Sequence, residues 1–155
     1  MLLRLSPQNR TVPWPRPSPL PVAARLAALL AGLGLAALLA LAVWLTPDQR
    51  GLGTHQQLGL PPCTVLEVFH IRCPACGMTT AWAYTVRGQL WRAAAANCGG
   101  TLLAMLAIGL APWLLVSAAR GRWLGGPPSA KIALTLMACV AGVTLLDWSV
   151  RLLAR

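Results

Sequence analysis

The chain has 155 residues, enough for one ordinary domain, and 57% of them are hydrophobic while only 10% are charged. A soluble globular chain carries about 25% charged residues, so this chain has too few charges to cover a water-facing surface. Its net charge is +10, from 13 Lys and Arg against 3 Asp and Glu. The arginines flank long apolar runs, where anionic headgroups account for them. We therefore expect the lipid bilayer as a partner and no nucleic acid.

The chain begins with a tail rich in proline and arginine, over residues 1–21. Proline lacks a backbone donor and fixes φ, and five prolines lie between Pro13 and Pro21. This composition predicts a disordered basic tail near the headgroups. Residues 22–155 are then expected to form a single membrane domain.

Three long apolar runs follow, at about residues 23–45, 98–119 and 130–150. A helix rises 1.5 Å per residue, so about 20 apolar residues span the roughly 30 Å of bilayer hydrocarbon. The runs predict an all-α integral membrane protein with three transmembrane helices. The first run is longer than the apolar region of a usual signal peptide, which favours an uncleaved helix over cleavage near Ala40-Leu41-Ala42.

The segment 78–96 has a helical pattern but is too polar to span a bilayer. Met78, Trp82, Val86 and Leu90 recur every four residues and form one apolar stripe. This pattern predicts one interfacial or re-entrant amphipathic helix, with a helix packed on the other helices as the alternative. Just upstream, residues 64–69 are compatible with a short strand or a turn.

The distribution of positive residues indicates an orientation. They are densest before the first run and in the loop between the second and third runs, and sparser between the first and second. By the positive-inside rule, the N-terminus and the second loop are expected in the cytoplasm and the cysteine-rich loop outside. The expected location is the inner membrane of a bacterium.

The three acids, Asp48, Glu67 and Asp147, form no pair of catalytic carboxylates, and no phosphate loop or G-x-S-x-G motif occurs. These absences exclude the common hydrolase types, while enzymatic activity in general stays open. Asp147 lies near the end of the third run, four residues before Arg151. That spacing predicts an ion pair rather than a transport pathway.

Small residues recur at four-residue spacing in the apolar runs, for example Ala107/Ala111 and Ala138/Gly142. Small side chains let helix backbones approach closely in a membrane. They predict close helix packing in general, and they leave a homo-oligomer or a membrane-protein partner open.

The cysteines carry the distinctive chemistry of the sequence. There are five: Cys63, Cys73, Cys76, Cys98 and Cys139. Three of them lie within fourteen residues, in the segment between the first two apolar runs. One interpretation is structural: a loop that is pinned by a disulfide from Cys63, or one that binds a partner. A second is thiol–disulfide exchange at a helix start, with Cys73 as nucleophile and Cys76 as resolving thiol.

A zinc site is the third interpretation. Four soft or borderline donors follow the spacing C-x6-H-x2-C-x2-C: Cys63, His70, Cys73 and Cys76. Zinc is the cofactor that this set would hold, although a single C-x-x-C pair does not establish it. Haem attachment is disfavoured, because Gly77 stands where C-x-x-C-H needs histidine.

The segment around the motif resembles a known family. Seven residues carry the resemblance: Cys73, Pro74, Cys76, Gly77, Thr79, Gly88 and Asn97. They resemble the pattern of domain-of-unknown-function family 2752, a family of small bacterial membrane proteins. That pattern is a Cys-Pro-x-Cys-Gly-x-Thr-Arg motif, followed at set intervals by a glycine and an asparagine. The resemblance covers about residues 60–118 and implies a membrane location, and it brings no activity.

Two residues depart from the family's pattern. Thr80 stands where the pattern has arginine, and Cys98 stands where it has proline. The first change removes a positive charge from the motif, and the second adds a thiol beside it. The resemblance therefore supports fold and location, and the function predicted from sequence is a membrane protein of unknown activity with a structural or partner-binding cysteine loop.

Overall fold

The computed structural model of the protein describes residues 19–153. Residues 1–18 of the predicted basic tail lie outside the described residues. The described residues form six α-helices and one short 3-10 helix, and they contain no strand. The helices are α1 Val22–Trp44, α2 Thr64–Phe69, α3 Met78–Thr85, α4 Leu90–Ala96, α5 Cys98–Arg120 and α6 Ala130–Leu153, with the 3-10 helix at Thr54–Leu58.

Three of these helices are long and apolar enough to cross a membrane. They are α1 and α5, with 23 residues each, and α6, with 24 residues. At 1.5 Å per residue each exceeds the roughly 30 Å of bilayer hydrocarbon. The predicted all-α membrane class and its three spans are confirmed, with boundaries shifted by at most three residues.

The segment between α1 and α5 differs from the sequence prediction. One amphipathic helix was predicted over 78–96, but the structure has two helices, α3 and α4, separated by a turn at Gly88, where φ is +71°. The buried hydrophobic cluster of this pair consists of Ala81, Tyr84, Ala93 and Ala96, and none of the four residues of the predicted stripe is buried. The two helices pack on each other and on α5, because small side chains allow their backbones to approach.

The segment 64–69 was also predicted wrongly. It is the helix α2 rather than a strand or a turn. The six residues are too few for hydrophobic periodicity to distinguish helix from strand.

Helices α1 and α5 form the largest helix–helix contact. A Cβ atom at Gly32 would lie 2.9 Å from the side chain of Leu115, so glycine is needed for the close approach. On the α5 side the predicted pair Ala107/Ala111 is buried. Its counterpart on α6 behaves differently, because Ala138 is exposed and α6 buries none of its residues.

Arginine side chains join the helix ends. Arg87 donates to the carbonyls of Ala42, Val43 and Leu45 at the end of α1, at 3.1, 2.8 and 2.8 Å. Arg25 donates from its Nε to the carbonyl of Ala118 at 2.7 Å. The last carbonyls of a helix have no intrahelical partner, so these guanidinium groups satisfy acceptors that would otherwise be costly near a bilayer.

The predicted pairing of Asp147 with Arg151 is confirmed. Arg151 Nε lies 3.0 Å from Asp147 Oδ2, and its other nitrogens donate to the final carbonyls of α4, including that of Ala96 at 3.0 Å. The indole of Trp148 donates to the carbonyl of Arg72 at 2.7 Å. The end of α6 is thereby attached to α4 and to the cysteine-rich loop.

Gly99 on α5 faces Thr144 on α6, and it supplies a test of that interface. A Cβ atom there would overlap Thr144 Oγ1, whereas one at Gly109 on the same helix would meet nothing within 4 Å. Overpacking costs about 1–3 kcal/mol, so Gly99→Ala should lower the thermal unfolding temperature in detergent. Gly109→Ala is the matched control and should leave that temperature unchanged or raise it, because alanine favours helix by about 1 kcal/mol. Equal effects of the two changes would contradict this packing.

Candidate functional site

The C-P-A-C-G motif forms a tight turn at one end of the helical bundle. The turn connects α2 to α3, and the N–H of Cys76 donates to the carbonyl of Cys73 at 3.0 Å. The N–H of Met78 then donates to the carbonyl of Ala75 at 3.1 Å, at the first residue of α3. The motif therefore lies before the helix and not in its first turn.

Gly77 allows this turn to approach two other chain segments. Its φ of +87° lies in the left-handed region that favours glycine. A Cβ atom there would lie 2.5 Å from the carbonyl oxygen of Ala96 and 2.6 Å from that of Gly51. A side chain at this position would therefore collide with both backbone segments.

Asn97 holds the turn to the beginning of α5. Its side chain is 2% exposed, and its amide nitrogen donates to the carbonyls of Pro74 at 2.9 Å and Cys76 at 3.2 Å. Its amide oxygen accepts from the N–H of Gly100 at 2.6 Å, which caps α5. One side chain therefore fixes both the cysteine turn and the helix that follows it.

Three thiols converge at this turn. Cys63 Sγ lies 3.6 Å from Cys73 Sγ, and Cys73 Sγ lies 3.1 Å from Cys76 Sγ. All three sulfur atoms lie within 4.8 Å of one another, and all three residues are half-buried. We call Cys63, Cys73 and Cys76 the thiol cluster. Every cysteine of the chain is a free thiol in this structure.

The other predicted donors lie elsewhere. His70 was predicted as a fourth zinc ligand, but within the described residues it is not one of the donors grouped with the thiol cluster. Cys98 Sγ lies 3.3 Å from the carbonyl of Ala94, on the α4–α5 connection, and Cys139 is exposed on α6. Neither of these cysteines joins the cluster.

The thiol cluster opens into a cavity of about 170 Å³. The residues that line it include all three cysteines, Met78, Thr79 and Thr80, and also His55 from the 3-10 helix. Sequence reasoning missed His55, because it lies eight positions before Cys63 and outside the C-x-x-C spacing. None of the described residues that line the cavity carries a carboxylate, an ammonium or a guanidinium group.

The thiols of the cluster differ in acidity. The N–H of Leu66 is the largest cause that lowers the pKa of the Cys63 thiol, and the neighbouring thiols lower it further. Burial is the largest cause that raises the pKa of Cys76, to about 12, and hydrogen bonding to Cys73 and Cys63 adds to it. The proton is thus held more firmly at Cys76 than at Cys63.

Thr80 docks the 3-10 helix onto α3. It is fully buried, and its hydroxyl lies 2.8 Å from that of Thr54, which is also fully buried. Thr54 in turn accepts from the N–H of Asp48 at 3.0 Å. Neither Thr79 nor Thr80 caps α3, because the N-cap is Gly77 and no side chain caps this helix.

The fold and the site define a membrane protein with three apolar helices and a cluster of free thiols at one end of them. Residues 63–111 match the family model described as Protein of unknown function (DUF2752). The family resemblance predicted from the sequence is therefore confirmed over this segment, which begins at Cys63 and runs into α5. Searches of curated proteins and of solved structures found no match to the chain.

The role of Asn97 can be tested with a near-isosteric change. Asn97→Asp keeps an oxygen that accepts from the N–H of Gly100, but removes the donor to Pro74 and Cys76. Each buried acceptor left without a partner costs about 1–3 kcal/mol, so the unfolding temperature in detergent should fall clearly. Gln89→Glu makes the same chemical change at an exposed residue and should have little effect. Equal stability of Asn97→Asp and the wild type would show that the amide does not hold the turn.

The difference in thiol acidity predicts an order of alkylation. Because the thiolate is the reactive species, Cys63 should react with iodoacetamide before Cys76 at neutral pH. Peptide mapping by mass spectrometry, in the presence of a chelator and a phosphine reductant, measures this order. The difference should narrow as pH rises and should vanish in denaturant. A faster reaction at Cys76 in the folded protein would contradict it.

Proposed function

We propose that this membrane protein binds a soft metal ion, zinc in the first instance, through the thiolates of Cys63, Cys73 and Cys76. The observation that carries the proposal is the convergence of three free thiols within 4.8 Å of one another. Zinc is held by thiolates in structural sites, and such sites contribute directly to folding.

The sulfur–sulfur distances support a metal site. Zinc–sulfur bonds of about 2.3 Å in a tetrahedron bring sulfur atoms to about 3.8 Å from one another. The distance of 3.6 Å between Cys63 and Cys73 fits this value, and the 3.1 Å between Cys73 and Cys76 needs a small outward movement. The third sulfur atom distinguishes the cluster from a simple disulfide pair, since a disulfide uses only two.

The charge of the cavity also supports a cation. Thiolates are acceptors that need positive charge nearby, and no charged side chain is found among the described residues that line the cavity. Burial raises the pKa of the Cys76 thiol, which shows the cost of ionising it without a partner. A divalent cation would displace the protons of the thiols and compensate the negative charges of the resulting thiolates.

A bound metal would also serve the structural role predicted from the sequence. Cys63 is the N-cap of α2, while Cys73 and Cys76 lie in the turn before α3. An ion held by all three would join α2 to the turn that Asn97 attaches to α5. The metal and structural interpretations then describe one site.

Thiol–disulfide exchange is the second candidate, favoured by the 3.1 Å distance between the Cys73 and Cys76 sulfur atoms. The Cys73 thiolate would attack a disulfide of a partner protein and form a mixed disulfide. The Cys76 thiolate would then release the partner with two thiols and leave the motif oxidised. Against it, α3 begins only at Met78, so Cys73 lies outside the first turn, where a helix dipole acts.

We further propose that the thiol cluster faces outward from the inner membrane of a bacterium, with the N-terminus in the cytoplasm. The denser arginines at the opposite ends of the helices support this orientation. The cluster lies at the end of the bundle that contains the C-terminus of α1 and the N-terminus of α5. Labelling of Cys63 in intact cells by a membrane-impermeant maleimide tests this orientation. If Cys63 is labelled only after lysis, the thiol cluster faces the cytoplasm and the proposed orientation is wrong.

Zinc titration of the detergent-purified, metal-stripped protein tests the proposed function. The wild type should bind one zinc ion per chain in competition with a chromophoric chelator. Cys63→Ser, Cys73→Ser and Cys76→Ser should each weaken binding by more than the about 10–100-fold that loss of an outer-shell partner costs. Cys139→Ser, at an exposed cysteine outside the cluster, is the matched control and should bind as the wild type does.

Two results would contradict the metal proposal. A reducible disulfide between Cys73 and Cys76 in protein that takes up no zinc would favour thiol–disulfide exchange. Thiols that stay free and take up no zinc would leave the motif as a turn that packs against α5.

A further inference from the structure

We infer that His55 is the fourth ligand of the metal site, supplied by the 3-10 helix Thr54–Leu58. This inference rests on the proposed function. Three thiolates leave one tetrahedral position open, and structural zinc sites are usually closed by four protein ligands. His55 is half-buried and lines the same cavity as the three cysteines.

The hydrogen bonding of His55 prepares one ring nitrogen for a metal. Nε2 lies 3.2 Å from the carbonyl oxygen of Pro61. A carbonyl only accepts hydrogen bonds, so Nε2 carries the proton and Nδ1 of the neutral ring keeps its lone pair. Histidines that bind metals characteristically donate their other N–H to a carbonyl or a carboxylate in this way.

The fold holds His55 beside the thiol cluster. The preceding residue, Thr54, is fully buried, and its hydroxyl lies 2.8 Å from that of Thr80 on α3. Gln57, two residues further, donates to the carbonyl of Thr46 at 2.6 Å and accepts from its N–H at 3.1 Å. The 3-10 helix is thus attached on both sides of His55, to α3 and to the segment that follows α1.

Ligation would require the imidazole of His55 to move toward the sulfur atoms. The imidazole lines the cavity but is not among the donors that lie within 4.8 Å of one another. The side chain of His55 is half-buried, so it can change its rotamer toward the ion while Thr54 and Gln57 keep the 3-10 helix attached. Metal binding would then join the connection after α1 to the C-P-A-C-G turn.

The cavity also contains a softer donor than imidazole, the thioether of Met78. Zinc takes imidazole nitrogen in its structural sites, whereas thioethers suit softer ions such as Cu(I). The choice between the two donors therefore determines which metal the site selects. His55 makes it a zinc site with three sulfur ligands and one nitrogen.

Zinc affinity and X-ray absorption of the full chain in detergent test this inference. Zinc bound to the wild type should show three sulfur atoms at about 2.3 Å and one nitrogen at about 2.0–2.1 Å. His55→Ala should lose the nitrogen and weaken zinc binding by at least about tenfold. His55→Cys should restore tight binding with four sulfur atoms. His70→Ala changes the only other histidine of the chain, and it should bind as the wild type does.

The outcomes separate this inference from the proposed function. If the cysteine variants lose zinc while His55→Ala keeps its affinity and spectrum, the inference is wrong and the three-thiolate site stands. If His70→Ala loses the nitrogen instead, the ligand set predicted from sequence is right and His55 is not a ligand. If the wild type takes up no zinc, both proposals fail together.

Discussion

The buried amide of Asn97 is the interaction on which the rest of the site depends. It donates to two carbonyls of the cysteine turn and accepts from the N–H of Gly100. These two carbonyl oxygens lie in a part-buried turn, where a donor from the protein replaces water. Because the same side chain caps α5, the position of the thiols is fixed relative to a membrane-spanning helix and not to a mobile loop.

Guanidinium groups extend the same principle to the other helix ends. Arg87 joins α3 to the end of α1, and Arg151 joins α6 to the end of α4. Each arginine supplies several donors in a fixed geometry, which suits a cluster of unpaired carbonyls. Some of the positive residues of the chain therefore stabilise the fold itself. The sequence also accounts for positive residues by contacts with lipid headgroups and by the orientation of the protein in the membrane.

The sequence predicted the parts of the fold that follow from strong local signals. The three spans follow from uninterrupted apolar length, and the ion pair of Asp147 with Arg151 follows from helical spacing. The division of 78–96 into two helices was not predictable, since it depends on packing between small residues such as Ala81 and Ala93. Short helices draw their stability from such tertiary contacts rather than from their own sequence.

The candidate site was predictable only where its members are close in sequence. The C-x-x-C pair and Cys63 were recognisable as donors, and the structure brings their sulfur atoms together. His55 was not, because it reaches the cavity through the contact between Thr54 and Thr80, twenty-six positions apart. His70, by contrast, fits the spacing of a ligand but is not one of the grouped donors. Spacing in the sequence shows which donors the chain could bring together, and tertiary packing determines which of them lie close together in the fold.

The partial charge at a helix end affects the stability of a thiolate cluster at this position. Zinc with three thiolates and one neutral imidazole carries a net charge of about −1 by formal count. The turn that holds two of the thiols is attached through Asn97 to the N-terminus of α5, a helix of 23 residues. A helix N-terminus carries a partial positive charge of about half an elementary charge, which favours a nearby anion. The carboxylate of Asp147 already lies at that N-terminus, with its Oδ2 3.4 Å from the backbone nitrogen of Cys98, so an anion at the turn would share this partial charge with Asp147.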